Sequence, residues 1–174
     1  MIERILIAGA GGQGIVTLGK LLAHAAMDAY PFVTFFPSYS AEVRGGAANC
    51  QVIISSTEIF SPLAEKFDTV LAMNQIAAEK FMTFIEQKGL ALANSTLCRV
   101  NQLDWRCIRI QATKIAAQLG NVRAANLVML GAMLARKSIV SFSKMEKTIR
   151  TTFSELPKTT AKSNLRAFYW GLSI

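Results

Sequence analysis

Ile5-Leu6-Ile7-Ala8-Gly9-Ala10-Gly11-Gly12-Gln13-Gly14 is the stretch that decides the fold. Its first four residues form a short unbroken apolar run, the pattern of a strand buried on both faces. Glycines then follow at the Gly-x-Gly-x-x-Gly spacing, and Ile15 to Ala29 read as a helix with Val16, Leu18, Leu21, Leu22, Ala25 and Ala26 on its apolar face. A glycine turn between a strand and a helix lets an anion approach backbone N–H groups at the helix start. Outward from this unit, Phe32–Phe36, Ala47–Ser55, Thr69–Met73, Leu90–Ala93 and Cys107–Gln111 read as further strands. Gln75–Gln87, Thr113–Leu119, Val122–Arg136, Ser143–Thr152 and Thr160–Trp170 read as helices. Strands alternating with helices predict an α/β fold: a Rossmann-like, mostly parallel sheet flanked by helices, with a helical C-terminal third. With 174 residues and no repeat, low-complexity segment or linker, residues 1–174 are expected to form a single domain.

Composition excludes several classes. The chain is 52% hydrophobic and 17% charged, too apolar for disorder. Its longest charge-free stretch, Ile5–Gly19, and the apolar stretch Ala124–Ala135 both fall short of the roughly 18–20 apolar residues a membrane helix needs. Cys50, Cys98 and Cys107 are far apart and contain no CxxC pair, which argues against a disulfide framework, a zinc site or an iron–sulfur cluster held by this chain alone. A single histidine, His24, within the first helix makes a metal site or a hydrolytic triad improbable. The start, Met1-Ile2-Glu3-Arg4, runs into a strand without the apolar helix of a secretory signal, so a cytoplasmic setting is expected.

Charge is lopsided: residues 1–98 sum to −2 and residues 99–174 to +10, giving the net +8. The cations of the second half, Arg99, Arg109, Lys114, Arg123, Arg136 and Lys147 among them, scatter over several elements and form no nucleic-acid motif. A solvated surface, or a face meeting acidic partner subunits, coenzyme phosphates or an acidic electron carrier, is preferred over a nucleic-acid face.

The glycine turn has three readings. A dinucleotide site calls for an Asp or Glu about twenty residues on, to bind ribose hydroxyls. Here the second strand ends Phe35-Phe36-Pro37-Ser38 and Asp28 comes too early. That weakens a stand-alone NAD(P) or flavin enzyme. The glycines can instead serve only the tight turn and helix packing, or meet a phosphate-bearing coenzyme. A second loop follows, Ser38-Tyr39-Ser40-Ala41-Glu42-Val43-Arg44-Gly45-Gly46. Arg44 can clamp a phosphate or carboxylate, or merely pair with Glu42. Asn126, in an almost wholly apolar helix, must find a hydrogen bond; tying this helix to a loop, for which the glycine turn is one candidate, is preferred over contact with a ligand. Gly131 in the same helix is expected to mark a close crossing.

The turn Gly9–Gly14, the Ser38-to-Gly46 loop and the later Asn126-Leu127-Val128-Met129-Leu130-Gly131-Ala132 occur in that order. Together they resemble the gamma subunit of the 2-oxoacid:ferredoxin oxidoreductases, and the resemblance covers nearly the whole chain. Residues Pro37–Cys50 look most like the 2-oxoglutarate branch, with pyruvate, branched-chain and indolepyruvate relatives close. The resemblance implies a multi-subunit enzyme that converts a 2-oxoacid and coenzyme A to acyl-CoA and carbon dioxide, with electrons passed to ferredoxin. It implies alpha and beta partner subunits, with delta as a further candidate, thiamine diphosphate and [4Fe-4S] clusters in those partners, and no catalytic residue here. Carried onto this sequence, the candidate coenzyme-facing residues are Gly9, Gly11, Gly12, Gln13 and Gly14, with Ser38, Tyr39, Glu42, Arg44, Gly45 and Gly46. Ser40 departs from the glycine of many relatives. A purely structural assembly role stays open beside these readings.

Overall fold

The structure, a computed structural model, describes residues 1–38, 47–99 and 107–174, and only the backbone of Ala47. Its described strands are β1 (Ile2–Ala10), β2 (Phe32–Ser38), β3 (Ala47–Ser55), β4 (Phe67–Ala72), β5 (Ile85–Asn94) and β6 (Ile108–Ile110). They form one sheet in the order β2-β3-β1-β4-β5-β6. β1, β4, β5 and β6 pair in parallel, whereas β3 is antiparallel to both β1 and β2. β2 therefore points the same way as β1, and β3 is the one reversed strand among those described.

The helices are α1 (Ile15–Ala26), α2 (Gln75–Phe81), α3 (Ala112–Gln118), α4 (Ala125–Arg136), α5 (Phe142–Thr152) and α6 (Lys158–Leu172). Alternate residues of β1 face opposite cores, as a strand's two-residue period requires. Ile5 and Ile7 pack with α1 and α4 on one face, Leu6 and Ala8 with α2 on the other. Both sets are essentially inaccessible to water, which is why this strand reads as an unbroken apolar run. The expected helical C-terminal third is present: α6 stacks on α4 and α5 on α1, adding helices outside the first layer.

The α4–α6 crossing is set by two glycines. A Cβ built on Gly131 would strike the backbone of Phe168, Gly171 and Leu172, and one built on Gly171 would strike Val128, Gly131 and Ala132. The close crossing anticipated at Gly131 is thus real, and its partner is another glycine.

Two helices end well before their expected limits. The helix expected over Gln75–Gln87 ends at Phe81, passes through a 3₁₀ turn at Met82–Phe84 and gives way to β5 from Ile85. Glu86, Gln87 and Lys88 favour helix locally, but they span an irregularity of the ladder, fixed on either side where Ile85 pairs with Phe67 and Leu90 with Thr69 of β4. α1 stops at Ala26 rather than Ala29, the Tyr30 hydroxyl donating to the carbonyl of Ile139 at 3.0 Å. Among the described residues, no helix is long and apolar enough to cross a membrane.

At the end of the sheet away from the glycines, Glu3 is buried and meets Lys137 Nζ at 2.6 Å, while the Thr69 hydroxyl donates to the same Glu3 carboxylate at 2.7 Å. Lys137 also donates to the Asp68 carbonyl at 3.1 Å. This cluster fastens the C-terminal end of α4 to β1 and β4.

Candidate functional site

The glycine turn closes at the carboxyl end of β1, where Gln13 N–H donates to the Ala10 carbonyl at 3.2 Å. Gly12 and Gly14 have φ of 83° and 71°, the left-handed region that glycine occupies without a Cβ penalty. Gly14 caps α1 with its backbone alone; no side chain supplies the cap. The first-turn amides of α1 therefore lack the side-chain acceptor that usually covers a helix start.

Each member of the turn has a different constraint. A Cβ on Gly9 would run into Gln13, Ile15 and Met73. On Gly14 it would strike the Asn126 amide. Gly11 differs: its φ is not positive, and a Cβ there would meet nothing within 4 Å. Neither the turn nor the packing requires a glycine at Gly11, and its backbone faces open space.

A layer of carboxamides fixes the turn from below. The Gln13 side chain folds back so that its Oε1 accepts from Ala10 N–H at 2.7 Å and from Asn74 Nδ2 at 3.2 Å, while its Nε2 donates to the Met73 carbonyl at 3.4 Å. Asn74 in turn caps α2 by accepting from Ala77 N–H at 2.9 Å. Asn94, fully buried at the end of β5, donates to the Met73 carbonyl at 3.3 Å and to the Thr113 hydroxyl at 2.8 Å. Gln13, Asn74, Asn94 and Thr113 thus link the ends of β1, β4 and β5 to the start of α3. From above, Asn126 Nδ2 donates to the Gly14 carbonyl at 3.1 Å, and Asn126 Oδ1 accepts from Leu127 N–H at 2.9 Å.

Beside the turn lies a hollow of about 130 Å³ lined by Gly12, Gln13, Met73, Thr113 and Arg123, among others. Arg123 is exposed on its rim, in the 3₁₀ turn that leads into α4. Asn74, Asn94 and Thr113 escape a reading of the sequence, although a carboxamide closing successive apolar strands is a signal that would have found the first two. Arg123 is visible there only as one of many scattered cations.

Of the second loop's candidates, only Ser38 is described. It ends β2 and pairs with Asn49 of β3, whose next residues toward the N terminus pair with β1 at the glycines: Gly9 with Ala48 and Ala10 with Ala47. Tyr39, Glu42, Arg44, Gly45 and Gly46 lie outside the described residues. The carboxyl ends of β1 and β2 do point the same way, but they are not neighbours. β3 stands between them, which moves the end of β2 about 9–10 Å from β1 at 4.7–4.9 Å per strand spacing. An acid at the end of β2 would sit one strand farther from the glycine turn than in a dinucleotide fold.

The cysteines do not converge on a metal. Cys50 is buried between α1 and the sheet, and Cys98 and Cys107 belong to the core on the opposite face. Burial pushes the Cys50 thiol up to about 12 and the Cys98 thiol up to about 11, so both are protonated and unreactive near neutrality. Among the described residues no group of three or more His, Cys, Asp or Glu side chains is placed to hold a metal ion.

Residues 4–174 match the family model for pyruvate ferredoxin/flavodoxin oxidoreductase. The chain belongs to that family. The 2-oxoglutarate synthase subunit KorC of Methanocaldococcus jannaschii is 34% identical over 180 residues, covering 100% of this chain and 94% of that protein. The ketoisovalerate oxidoreductase subunit VorA of Methanothermobacter thermautotrophicus is 37% identical over 132 residues, which are 76% of this chain but only 28% of VorA. The keto/oxoacid ferredoxin oxidoreductase gamma subunit from Geobacter sulfurreducens has the same fold, with a TM-score of 0.81, 30% identity and coverage of 99% of this chain and 95% of that one. A 2-oxoglutarate:ferredoxin oxidoreductase from Magnetococcus marinus, solved with 2-oxoglutarate, coenzyme A and succinyl-CoA bound, superposes with a TM-score of 0.87 and 25% identity over 99% of this chain and 30% of its own. Thus the family occurs both as a short separate polypeptide of this length and as part of a chain about three times longer. The resemblance drawn from the three sequence motifs is to this family and to the gamma subunits within it.

Proposed function

We propose that this chain is the gamma subunit of a 2-oxoacid:ferredoxin oxidoreductase of the 2-oxoglutarate type, and that its glycine turn borders the path by which coenzyme A reaches the active centre. The overall conversion is 2-oxoglutarate and coenzyme A to succinyl-CoA and carbon dioxide, with two electrons passed to ferredoxin. Thiamine diphosphate supplies the carbanion stabilisation and iron–sulfur clusters the electron path. Both groups belong to alpha, beta or delta partners in this reading, since the thiols of this chain are buried in two separate cores. A cytoplasmic enzyme, held together as a hetero-oligomer, accords with these assignments.

The observation that carries the coenzyme reading is Gly11. A glycine that neither φ nor packing demands leaves bare backbone beside the uncapped start of α1, where partial positive charge favours a phosphate. Arg123 adds an exposed cation on the rim of the hollow. The hollow's 130 Å³ is well below the 300–1,000 Å³ that encloses a whole cofactor-sized ligand. It suits one end of coenzyme A, with the remainder of the site formed by Ser38, Tyr39, Glu42, Arg44, Gly45, Gly46 and the partner subunits.

Steady-state kinetics of the assembled complex test the reading. Gly11→Val and Arg123→Ala are expected to raise KM for coenzyme A roughly tenfold, the equivalent of about 1.4 kcal/mol, while KM for the 2-oxoacid and the melting temperature stay unchanged. An unchanged KM for coenzyme A in both variants would leave the glycine turn a packing element only.

A further inference from the structure

A second surface lies away from the glycine turn, on the outer side of the α5–α6 hairpin. There a groove of about 390 Å³ is lined by residues of both helices. Its floor is apolar: Ile149 and Leu165 are buried at 1% and 9% exposure, and Phe153 is half-buried beside them. Its rim is basic, formed by Arg150 of α5 and by Lys158, Lys162 and Arg166 of α6. All four are exposed.

The charges are arranged in a row. Lys158, Lys162 and Arg166 follow one another at four-residue intervals, so they share one face of α6 and span about 12 Å at 1.5 Å per residue. Arg150 is held by Glu146 at 2.6 Å, and the Glu146 carboxylate, held below the usual range by the Tyr169 hydroxyl and Arg150, is thereby already occupied. The remaining acid of the hairpin, Glu155, sits in the connecting turn and does not line the groove. Across residues 142–174 six cations face two acids. A row of like charges on one helix face costs stability, as like-charge i,i+4 pairs destabilise an isolated helix. Placing such a row along an apolar groove combines two features that complement the same partner.

We propose that the α5–α6 groove is a docking site for an acidic helical segment of a protein partner that carries apolar side chains on the same face. The apolar floor takes one or two leucine-sized side chains, and the basic row pairs with carboxylates repeated every fourth residue. A single small anion would engage one or two of the cations and leave the floor empty. An amphipathic helical segment engages both along the full 12 Å. This site is independent of the coenzyme reading, and either can fail without the other.

Fluorescence anisotropy with the full chain tests it, using four labelled probes. These are a helical Glu/Leu peptide with both residue types at i, i+3, i+4 spacing, the same peptide with Ser for Leu, the same peptide with Lys for Glu, and a duplex DNA of about 20 base pairs. The Glu/Leu peptide is expected to bind at least tenfold more tightly than the Ser version and the DNA. Its affinity is expected to fall severalfold as salt shortens the screening length from about 10 Å to about 3 Å. The K158E/K162E/R166E variant is expected to lose the Glu/Leu peptide and to gain the Lys/Leu peptide, which shows that it is folded and that charge sets the choice. Equal binding of the Leu and Ser peptides, tighter binding of the DNA, or unchanged Glu/Leu affinity in the triple variant would each overturn the proposal.

Discussion

The Asn126 side chain donates to the Gly14 carbonyl at 3.1 Å, and Gly14 leaves no room for a Cβ beneath that amide. The same carbonyl also accepts the first hydrogen bond of α1, from Leu18 N–H at 2.9 Å. One carbonyl at the end of the glycine turn thus joins α1 to α4. The two helices are 112 positions apart in sequence at this contact, and the shape of the turn depends on both.

Replacing Asn126 with Ala leaves the Gly14 carbonyl with one partner instead of two and opens space beside it. The expected loss is about 1–3 kcal/mol. At about 2–4 °C per kcal/mol for a chain of this size, this reads as a lower melting temperature by circular dichroism. Unchanged melting would mean that α4 is held by its apolar contacts alone.

Glycine-to-alanine substitutions separate packing from access. Gly131→Ala removes a helix penalty of about 1 kcal/mol, but its methyl meets backbone of α6 that cannot rotate aside. Net destabilisation of about 1–3 kcal/mol is expected. Gly11→Ala meets nothing, so its chemical denaturation midpoint is expected to match the parent within about 0.5 kcal/mol. If both variants melt alike, the contrast between a crossing glycine and an access glycine fails.

Lys137→Met removes the cation from a carboxylate that is 6% exposed. Breaking a fully buried pair costs about 3–5 kcal/mol. Lys137 keeps a third of its side chain in water, so a loss at or below the low end of that range is expected. The Glu3→Gln/Lys137→Met double variant is expected to lose less than the sum of the singles, and urea titration of all three measures the difference. Additive losses would show that the two groups do not depend on each other.

The buried thiols bind their protons more tightly folded than unfolded. Unfolded Cys50 ionises near its ordinary value of 9, folded Cys50 near 12. Stability from this group is therefore complete below pH 9 and is lost as pH rises from 9 toward 12. The folded chain is expected to react slowly with a thiol reagent at pH 8 and rapidly once urea unfolds it. Cys50→Ala is expected to flatten the alkaline fall in denaturation midpoint. Fast labelling of Cys50 in the folded chain would contradict its burial.

Much of this is legible in the sequence. The run Ile5–Ala8 and the glycines after it place β1, the turn and α1, because a doubly buried strand and a left-handed turn each demand particular residues locally. Asn126 and Gly131 also declare themselves, since a lone amide and a lone glycine in an apolar helix need a reason. Legibility ended where contacts are distant. Glu86-Gln87-Lys88 favour helix on their own, and only the flanking pairs of Ile85 and Leu90 with β4 hold them in the strand, within an irregularity of the ladder.

By itself, then, the sequence determines the alternation of strands and helices, the glycine turn and the lopsided charge, all of which depend on neighbours along the chain. The tertiary structure alone decides that β3 runs backwards between β1 and β2, that Gly171 is the partner of Gly131, and that Arg123 reaches the rim of the glycine hollow. It also turns a scatter of C-terminal cations into one row beside an apolar groove. The physical reason is the same in each case: strand order and helix crossings are chosen by burial and backbone pairing between segments far apart in sequence.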